Sequence, residues 1–260
     1  MISSTANKQV RFVNALVKKA KTRKEEDLFV AEGLRMCAEI PKDRIRTLFV
    51  SESFLKNPEC RKLTEKVREV ETVTDEVFQA LSDTKTPQGV LALVRQYHYT
   101  FDEVVDTASP VLLMVLETLQ DPGNLGTIIR AGEGAGVTGI LMDSGTADLC
   151  SPKVIRSTMG SVLRMPFAYT ENLPEALARV KKKGIRLYAA HLYGAHNYDE
   201  EDYTGNTGFL IGNEANGLSD AAAAAADVRV KIPMKGRVES LNAAVAASVL
   251  MFEAARQRRR

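Results

Sequence analysis

Short apolar runs alternate with amphipathic segments along the first hundred residues. Residues 8–21 place Val10, Val13 and Leu16 on one helical face, with basic residues opposite. Thr74, which is followed by two acids, predicts the start of a helix. The predicted strands cover 28–33, 45–53 and 89–96, and the predicted helices cover 8–21, 34–40, 57–67 and 74–82. We therefore expect a small α/β domain over residues 1–100.

The second half begins after a polar segment, residues 97–109, that has no clear hydrophobic period. This composition predicts a linker, and we assign the linker to residues 101–109 within the segment. Apolar strands and helices then alternate to the end of the chain. The predicted strands cover 111–118, 136–143, 185–193, 208–212 and 228–234. This alternation is typical of a mainly parallel sheet with helices on both faces, which we assign to residues 110–260.

The last predicted helix, 240–257, is apolar nearly all round from Ala243 to Ala255. A helix of this kind must be buried on more than one side. A dimer interface and a tightly wrapped core within one chain both satisfy this requirement.

Basic residues are concentrated at the two ends of the chain, although the net charge is only +2. The two clusters are Lys8, Arg11, Lys18, Lys19, Lys21, Arg23 and Lys24, and then Arg256, Arg258, Arg259 and Arg260. Such clusters suit a polyanionic partner, since each neutralised phosphate releases counterions. A solvated helix face and a frayed tail would have the same composition.

The cysteines and histidines do not have metal-ligand spacing, so we expect no metal site. The three cysteines also form no disulfide pattern. Apolar runs are too short to cross a bilayer, and no apolar stretch follows the basic N-terminus. We expect a reduced, cytoplasmic protein without membrane association.

Three segments of the second half carry candidate chemistry: 116–136, 208–219 and 230–256. The first contains a turn at 121–124, where Asn124 is expected to cap the following helix. The second is a glycine-bearing loop after a strand, without the spacing of a dinucleotide fold. In the third, Ser240 is expected to cap the last helix. The last two loops together suit a ligand with adenine, ribose and amino-acid parts.

These segments resemble the three motifs of the SpoU (TrmH) branch of the SPOUT methyltransferases. The family patterns D-P-x-N-x-G-x-x-x-R, G-x-E-x-x-G and I-P-M-x-G-x-x-x-S-L-N match residues 121–130, 212–217 and 232–242. The stretch 151–167 is similar to the family's connecting segment. The first half more loosely resembles the family's substrate-binding extension, itself similar to a small ribosomal RNA-binding protein, at 29–35 and 86–90.

The resemblance implies a trefoil-knotted C-terminal domain, a homodimer, and transfer of a methyl group from S-adenosylmethionine to a ribose 2′-hydroxyl. It implies donor contacts at Gly212, Ile232 and Leu241, with Met234 and Leu192 as neighbouring candidates. It assigns the hydroxyl step to Arg130, with Asn124 nearby. The other expected polar members of the site are Glu214, Ser240 and Asn242, and the expected RNA contacts are Arg11, Arg23, Lys24 and Arg35.

Three functions fit this pattern. The first is ribose methylation of ribosomal RNA, with transfer RNA as the alternative substrate. The second is a related knotted enzyme that methylates a base atom, and the third is an RNA-binding protein that keeps the fold without catalysis. The intact motifs, and Asn124 with Arg130 in particular, favour the first.

Overall fold

The computed structural model describes residues 1–65, 67–106 and 110–259. They fall into two compact units, Met1–Tyr97 with Asp148–Leu163 and His98–Ala147 with Arg164–Arg260. The strands are β1 Leu28–Glu32, β2 Ile45–Ser51, β3 Val70–Val73, β4 Val90–Arg95, β5 Leu112–Leu116, β6 Gly139–Asp143, β7 Phe167–Thr170, β8 Arg186–Ala190, β9 His196–Asn197, β10 Thr207–Ile211 and β11 Val228–Lys231. The helices are α1 Lys8–Lys18, α2 Ala20–Glu26, α3 Leu34–Glu39, α4 Pro58–Thr64, α5 Asp75–Leu81, α6 Phe101–Val105, α7 Pro122–Ala135, α8 Pro152–Ser157, α9 Leu173–Lys182, α10 Asp220–Ala225 and α11 Ala243–Arg258.

The first unit contains a four-stranded mixed sheet in the order β1-β4-β2-β3. The apolar face of α1 packs into its core through Val10, Val13 and Leu16, as the sequence pattern predicts. Thr74 caps α5 by accepting the Val77 N–H, which confirms that prediction. The α8 helix, from the second half of the chain, also belongs to this unit and contacts β1.

Two features of the first unit differ from the sequence prediction. The predicted helix 8–21 is interrupted at Lys19, whose extended backbone (φ −124°, ψ 115°) separates α1 from α2. The strand β3 was not predicted, because its four residues carry too little alternation to define a period. The predicted helix 57–67 ends at Thr64, and residue 66 lies outside the described residues.

The second unit contains a seven-stranded sheet in the order β7-β6-β5-β10-β8-β11-β9, and every strand pair in it is parallel. One face is covered by α6, α9 and α10, which pack against buried residues such as Leu113 and Leu187. On the other side, α11 contacts β10 and packs along α7. The predicted parallel α/β fold is therefore confirmed, whereas the trefoil knot stays a prediction.

The segment interpreted as a linker contains the short helix α6. Thr100 and Glu103 form a capping box at its start, and Val104 and Val105 are buried. Two apolar residues with a capping box thus form a helix that periodicity alone does not predict. Residues 107–109 lie outside the described residues. The short strands β7 and β9 were also not predicted.

No helix within the described residues is long and apolar enough to span a bilayer. Across the same residues, His, Cys, Asp and Glu side chains form no group of three or more that could hold a metal ion.

Candidate active site

The β5 and β10 strands are neighbours at the point where the strand order of the second unit reverses. From β5 the chain proceeds outward to β6 and β7, and it then returns to build β8, β10 and β11 on the other side. In open parallel sheets, ligands bind beyond the carboxyl ends of the strands at such a point. A cleft of 360 Å³ lies there, between the loops that follow β5 and β10.

Glu214 and Asn124 together link all three sequence motifs at this edge through hydrogen bonds. Its Oε1 accepts from the Asp121 N–H (2.9 Å) and from Asn124 Nδ2 (3.0 Å), and its Oε2 accepts from the Gln120 N–H (3.1 Å). Asn124 Oδ1 in turn accepts from Asn242 Nδ2 (2.9 Å). Three of the predicted catalytic residues therefore form one connected chain.

The orientation of the two amides in this chain follows from its ends. Asn242 Oδ1 accepts from the Ala244 and Val245 N–H groups (2.9 and 3.3 Å), so its Nδ2 is free to donate to Asn124. Asn124 must then present its own Nδ2 to Glu214, whose ionised carboxylate accepts without donating. Burial raises the pKa of Glu214, but the hydrogen bonds from Asn124, Asp121 and Gln120 outweigh it and leave the pKa below its ordinary value.

The helix caps at this site differ from the predicted ones. Asp121, not Asn124, caps α7 by accepting the Asn124 N–H (2.8 Å), because Pro122 occupies the first helical position. Asn242, not Ser240, caps α11. In both cases the sequence contains several cap-forming residues within a few positions, and composition alone does not select among them.

Arg130 and Ser240 are not part of this network. Arg130 is exposed on α7, and its side chain has no hydrogen bond or ion pair with any residue that the structure describes. Ser240 is exposed in the loop before α11 and likewise has no such partner within the described ranges. The Arg130 guanidinium is therefore available to an external anionic or hydroxyl group.

Three candidate donor contacts follow three adjacent strands. Gly212 directly follows β10, Leu192 lies two positions after β8, and Ile232 directly follows β11. The strand register places these positions at nearly the same level. With neighbouring strands about 4.8 Å apart, Gly212 and Ile232 are about 10 Å apart across the edge. Met234 and Leu241 are half-buried in the loop between β11 and α11.

The loops at this edge approach each other's backbone closely. A Cβ atom on Gly212 would lie 2.1 Å from the carbonyl carbon of Gly217, and one on Gly194 would lie 2.6 Å from that of Val230. Real Cβ atoms do not come so close, so both positions require glycine. The geometry thus explains the glycine at position 212, whereas the contact of Gly212 with S-adenosylmethionine stays a prediction.

Asn213, Thr118 and Asp143 also shape the site, although sequence reasoning did not select them. Asn213 Nδ2 donates to the Thr118 carbonyl (2.8 Å), which ties the loop after β10 to the loop after β5. Thr118 in turn donates two hydrogen bonds to Asp143 at the end of β6. The available signals were the turn-forming asparagine beside Gly212 and an acid at the carboxyl end of a buried strand.

The candidate RNA contacts in the first unit separate into exposed and buried residues. Arg11, Lys24 and Arg35 are exposed. Arg23 is only 4% exposed, and its guanidinium donates to Asp148 and to the carbonyls of Leu16 and Val17. The assignment of Arg23 to the RNA surface is therefore wrong, because each of its terminal nitrogens already has a partner inside the unit.

The basic C-terminal cluster is also partly structural. Arg256 pairs with Glu253 (2.7 Å). Arg258 donates to four backbone carbonyls, which makes it a structural residue. Arg259 is exposed, and Arg260 lies outside the described residues.

Comparison with known proteins places this architecture in a family. Residues 111–252 match the model of the SpoU rRNA methylase family, and residues 7–92 match an MRM3-like substrate binding domain. The chain belongs to the SpoU rRNA methylase family.

Individual relatives agree with this membership. The chain is 34% identical over 180 residues to the 23S rRNA (guanosine(2553)-2′-O)-methyltransferase RlmP of Bacillus subtilis, covering 69% of this chain and 70% of that protein. The crystal structure of an AdoMet-bound rRNA methyltransferase from Sinorhizobium meliloti superposes with a TM-score of 0.87 at 31% identity, covering 98% and 97% of the two chains. The AdoMet complex of the SpoU methyltransferase AviRb from Streptomyces viridochromogenes gives 0.87 at 28% identity, with coverage of 97% and 99%.

Proposed function

We propose that this protein transfers a methyl group from S-adenosylmethionine to a ribose 2′-hydroxyl of ribosomal RNA. The observation that carries the proposal is the hydrogen-bonded chain Asn242–Asn124–Glu214, which joins all three family motifs beside the donor loops. Family membership and two AdoMet-bound structural neighbours support the same chemistry.

The residues at the edge of the sheet fit the donor. Gly212 allows the loop after β10 to close tightly on the Gly217 backbone, and Ile232, Met234 and Leu241 add apolar surface that suits an adenine ring. When bound, S-adenosylmethionine would supply an activated sulfonium methyl group. The 2′-oxygen would form the new C–O bond as the C–S bond breaks, the bonding pair would leave with the sulfur of S-adenosylhomocysteine, and the hydroxyl proton would pass to water.

Arg130 acts on the acceptor side of this reaction. Arginine stays protonated in proteins, so it does not serve as the base. Its guanidinium orients the hydroxyl or an adjacent phosphate and stabilises the negative charge that develops on the 2′-oxygen. Asn124, held by Glu214 and Asn242, provides a fixed polar group on the same helix.

The test replaces Arg130. We expect Arg130→Ala to lower the rate of methyl transfer by about 10²–10⁴-fold while the dissociation constant for S-adenosylmethionine is kept. Tritium transfer from the donor to RNA and calorimetric titration of the donor measure the two quantities. Near wild-type transfer by Arg130→Ala would show that the assigned role is wrong.

Ribose-methylation mapping of total RNA from cells with and without the gene identifies the substrate. Loss of one alkali-resistant site in ribosomal RNA is the expected result. A lost site in transfer RNA would select the alternative substrate. Unchanged ribose methylation together with a lost base methylation, measured by mass spectrometry of the nucleosides, would select the second enzyme class. A protein that shows no heat on titration with S-adenosylmethionine would be the non-catalytic form. The cytoplasm, where ribosomal RNA resides, is the proposed location.

We also propose that the protein works as a homodimer. Val245 and Phe252 are each 48% exposed and lie two turns apart on one face of α11. Exposed apolar side chains on a long helix that carries few charges are typical of an interface. Light scattering should give twice the chain mass for the wild type, and Phe252→Asp should shift the protein toward monomer.

A further inference from the structure

Asp143, at the carboxyl end of β6, lies outside all three motifs but accepts three hydrogen bonds at the active-site edge. Its Oδ1 accepts from the Thr118 N–H (2.7 Å) and from Thr146 Oγ1 (2.8 Å). Its Oδ2 accepts from Thr118 Oγ1 (2.7 Å). The carboxylate thus holds both polar hydrogens of Thr118.

Thr118 needs this support because its backbone is in the left-handed region, with φ of 52°. A β-branched residue adopts this conformation only when its surroundings impose it. Gly145 contributes the necessary space, since a Cβ there would lie 2.9 Å from Thr118 Oγ1.

The conformation of Thr118 fixes the direction of its carbonyl group, which accepts a hydrogen bond from Asn213 Nδ2 (2.8 Å). Asn213 Oδ1 accepts in turn from the N–H groups of Ala215 (2.9 Å) and Asn216 (3.1 Å). Asn213 stands between Gly212, the candidate donor contact, and Glu214, the centre of the polar network. The loop 212–217 is therefore anchored to β6 through Thr118.

We infer that Asp143 is a positioning residue for methyl transfer, which acts through Thr118 and Asn213 to hold the loop 212–217. The inference rests on the proposed function for its kinetic consequence. Its structural consequence can be measured without any methyl transfer.

The experiment compares the full-length wild type with Asp143→Asn and Thr118→Val. An amide in place of the Asp143 carboxylate loses one acceptor, and valine keeps the shape of threonine without the hydroxyl. For both variants we expect the dissociation constant for S-adenosylmethionine to rise, and kcat/KM for methyl transfer to fall by about ten- to a hundredfold. Thr118→Ser keeps the hydroxyl and should rescue most of the loss.

Asp227→Asn is the matched control. The Asp227 carboxylate also accepts a backbone N–H, that of Leu187 (2.8 Å), but it lies at the amino end of β11. This variant should keep the wild-type dissociation constant and kcat/KM even if its melting temperature falls. An equal loss of donor affinity in Asp227→Asn would overturn the inference, because the effect would then be general destabilisation.

Hydrogen exchange separates a failure of this inference from a failure of the proposed function. The Ala215 and Asn216 amides should exchange faster in Asp143→Asn than in the wild type, and at an unchanged rate in Asp227→Asn. Unchanged exchange in Asp143→Asn would overturn the positioning role, whether or not the wild type methylates RNA. A wild type that neither binds the donor nor methylates RNA would instead refute the proposed function.

Discussion

Glu214 satisfies two backbone N–H groups and one side-chain amide with a single carboxylate, although it is a surface residue. Hydrogen bonds to an ionised acceptor are stronger than those between neutral groups. All three partners of the carboxylate are N–H donors, so the site needs Glu214 in its ionised form, which only accepts hydrogen bonds. At the residue scale, we therefore expect the geometry of the site to depend on the ionisation of Glu214.

We predict that the stabilising effect of Glu214 disappears in acid. Its pKa in the folded protein is below the ordinary value, so the effect is complete above the unfolded-state pKa of about 4.3 and is lost as the pH falls through the folded-state pKa. Chemical denaturation of the wild type and Glu214→Gln from pH 3 to pH 8 measures this. The two proteins should converge once the pH has fallen through the folded-state pKa of Glu214. Glu25→Gln, an exposed position on α2, controls for the loss of one carboxylate, and a constant gap at all pH values would contradict the prediction.

At the scale of elements, the loop after β10 depends on the absence of a side chain at Gly212. We predict that Gly212→Ala abolishes donor binding, because the new Cβ would meet the Gly217 and Leu218 backbone at 2.1–2.2 Å and the loop would have to move. Calorimetric titration with S-adenosylmethionine checks this. Gly205→Ala is the control, since no described atom outside its chain neighbours lies within 4 Å of its Cβ position. That variant should keep wild-type donor affinity, with stability unchanged or raised by about 0.4–1 kcal/mol.

The start of α11 serves both as a helix cap and as a donor to the site, and the two roles can be separated. Asn242→Asp keeps an N-cap oxygen beside the positive end of the helix dipole, so stability should stay close to wild type. It replaces the Nδ2 group that donates to Asn124 with a second oxygen, so two acceptor oxygens would face each other. A flip of the Asn124 amide would restore that hydrogen bond but would turn the Asn124 oxygen toward the Glu214 carboxylate. We therefore predict a loss of methyl transfer without a loss of melting temperature. Asn242→Ala should lose both, at a stability cost of about 1 kcal/mol. Full activity in Asn242→Asp would contradict the coupling.

The elements that the sequence predicted correctly are those whose own residues contain the signal. The runs that became β5, β6, β8 and β10 are mostly apolar, so they predict buried parallel strands. The two-residue strand β9 exists because it pairs with β11, and its sequence has no strand pattern of its own. Asp143 lies 25 positions from Thr118, and Thr118 lies 95 from Asn213, so no local pattern shows that they meet. The motifs identified the site, whereas its supporting contacts required the fold.

At the scale of the whole molecule, residues 148–163 belong to the first unit although they separate β6 from β7 of the second. Asp148 at the start of this segment pairs with Arg23, and Arg156 pairs with Asp83 (2.8 Å). A single boundary placed between residues 100 and 110 does not include this segment in the first unit, because its placement depends on contacts between residues 73 and 125 positions apart. The same contacts show that Arg23 and Arg156 are already paired with acids within the unit.

We predict that RNA affinity falls steeply with salt, and that the exposed residues Arg11 and Lys24 contribute to this dependence. Each phosphate contact contributes about 0.7–0.9 to the slope of log K against log salt, so Arg11→Ala with Lys24→Ala should make the slope shallower by up to about 2. Lys62→Ala, an exposed lysine on α4 that pairs with Glu59, is the control for nonspecific charge loss.

Arg23→Leu should leave the slope unchanged but lower stability by about 1–3 kcal/mol, because Asp148 would lose its partner while remaining partly solvated. Filter binding from 50 to 300 mM salt, with thermal melts of each variant, measures both quantities. An unchanged slope in the double variant, or a shallower one in Arg23→Leu, would mean that RNA binds to a different surface.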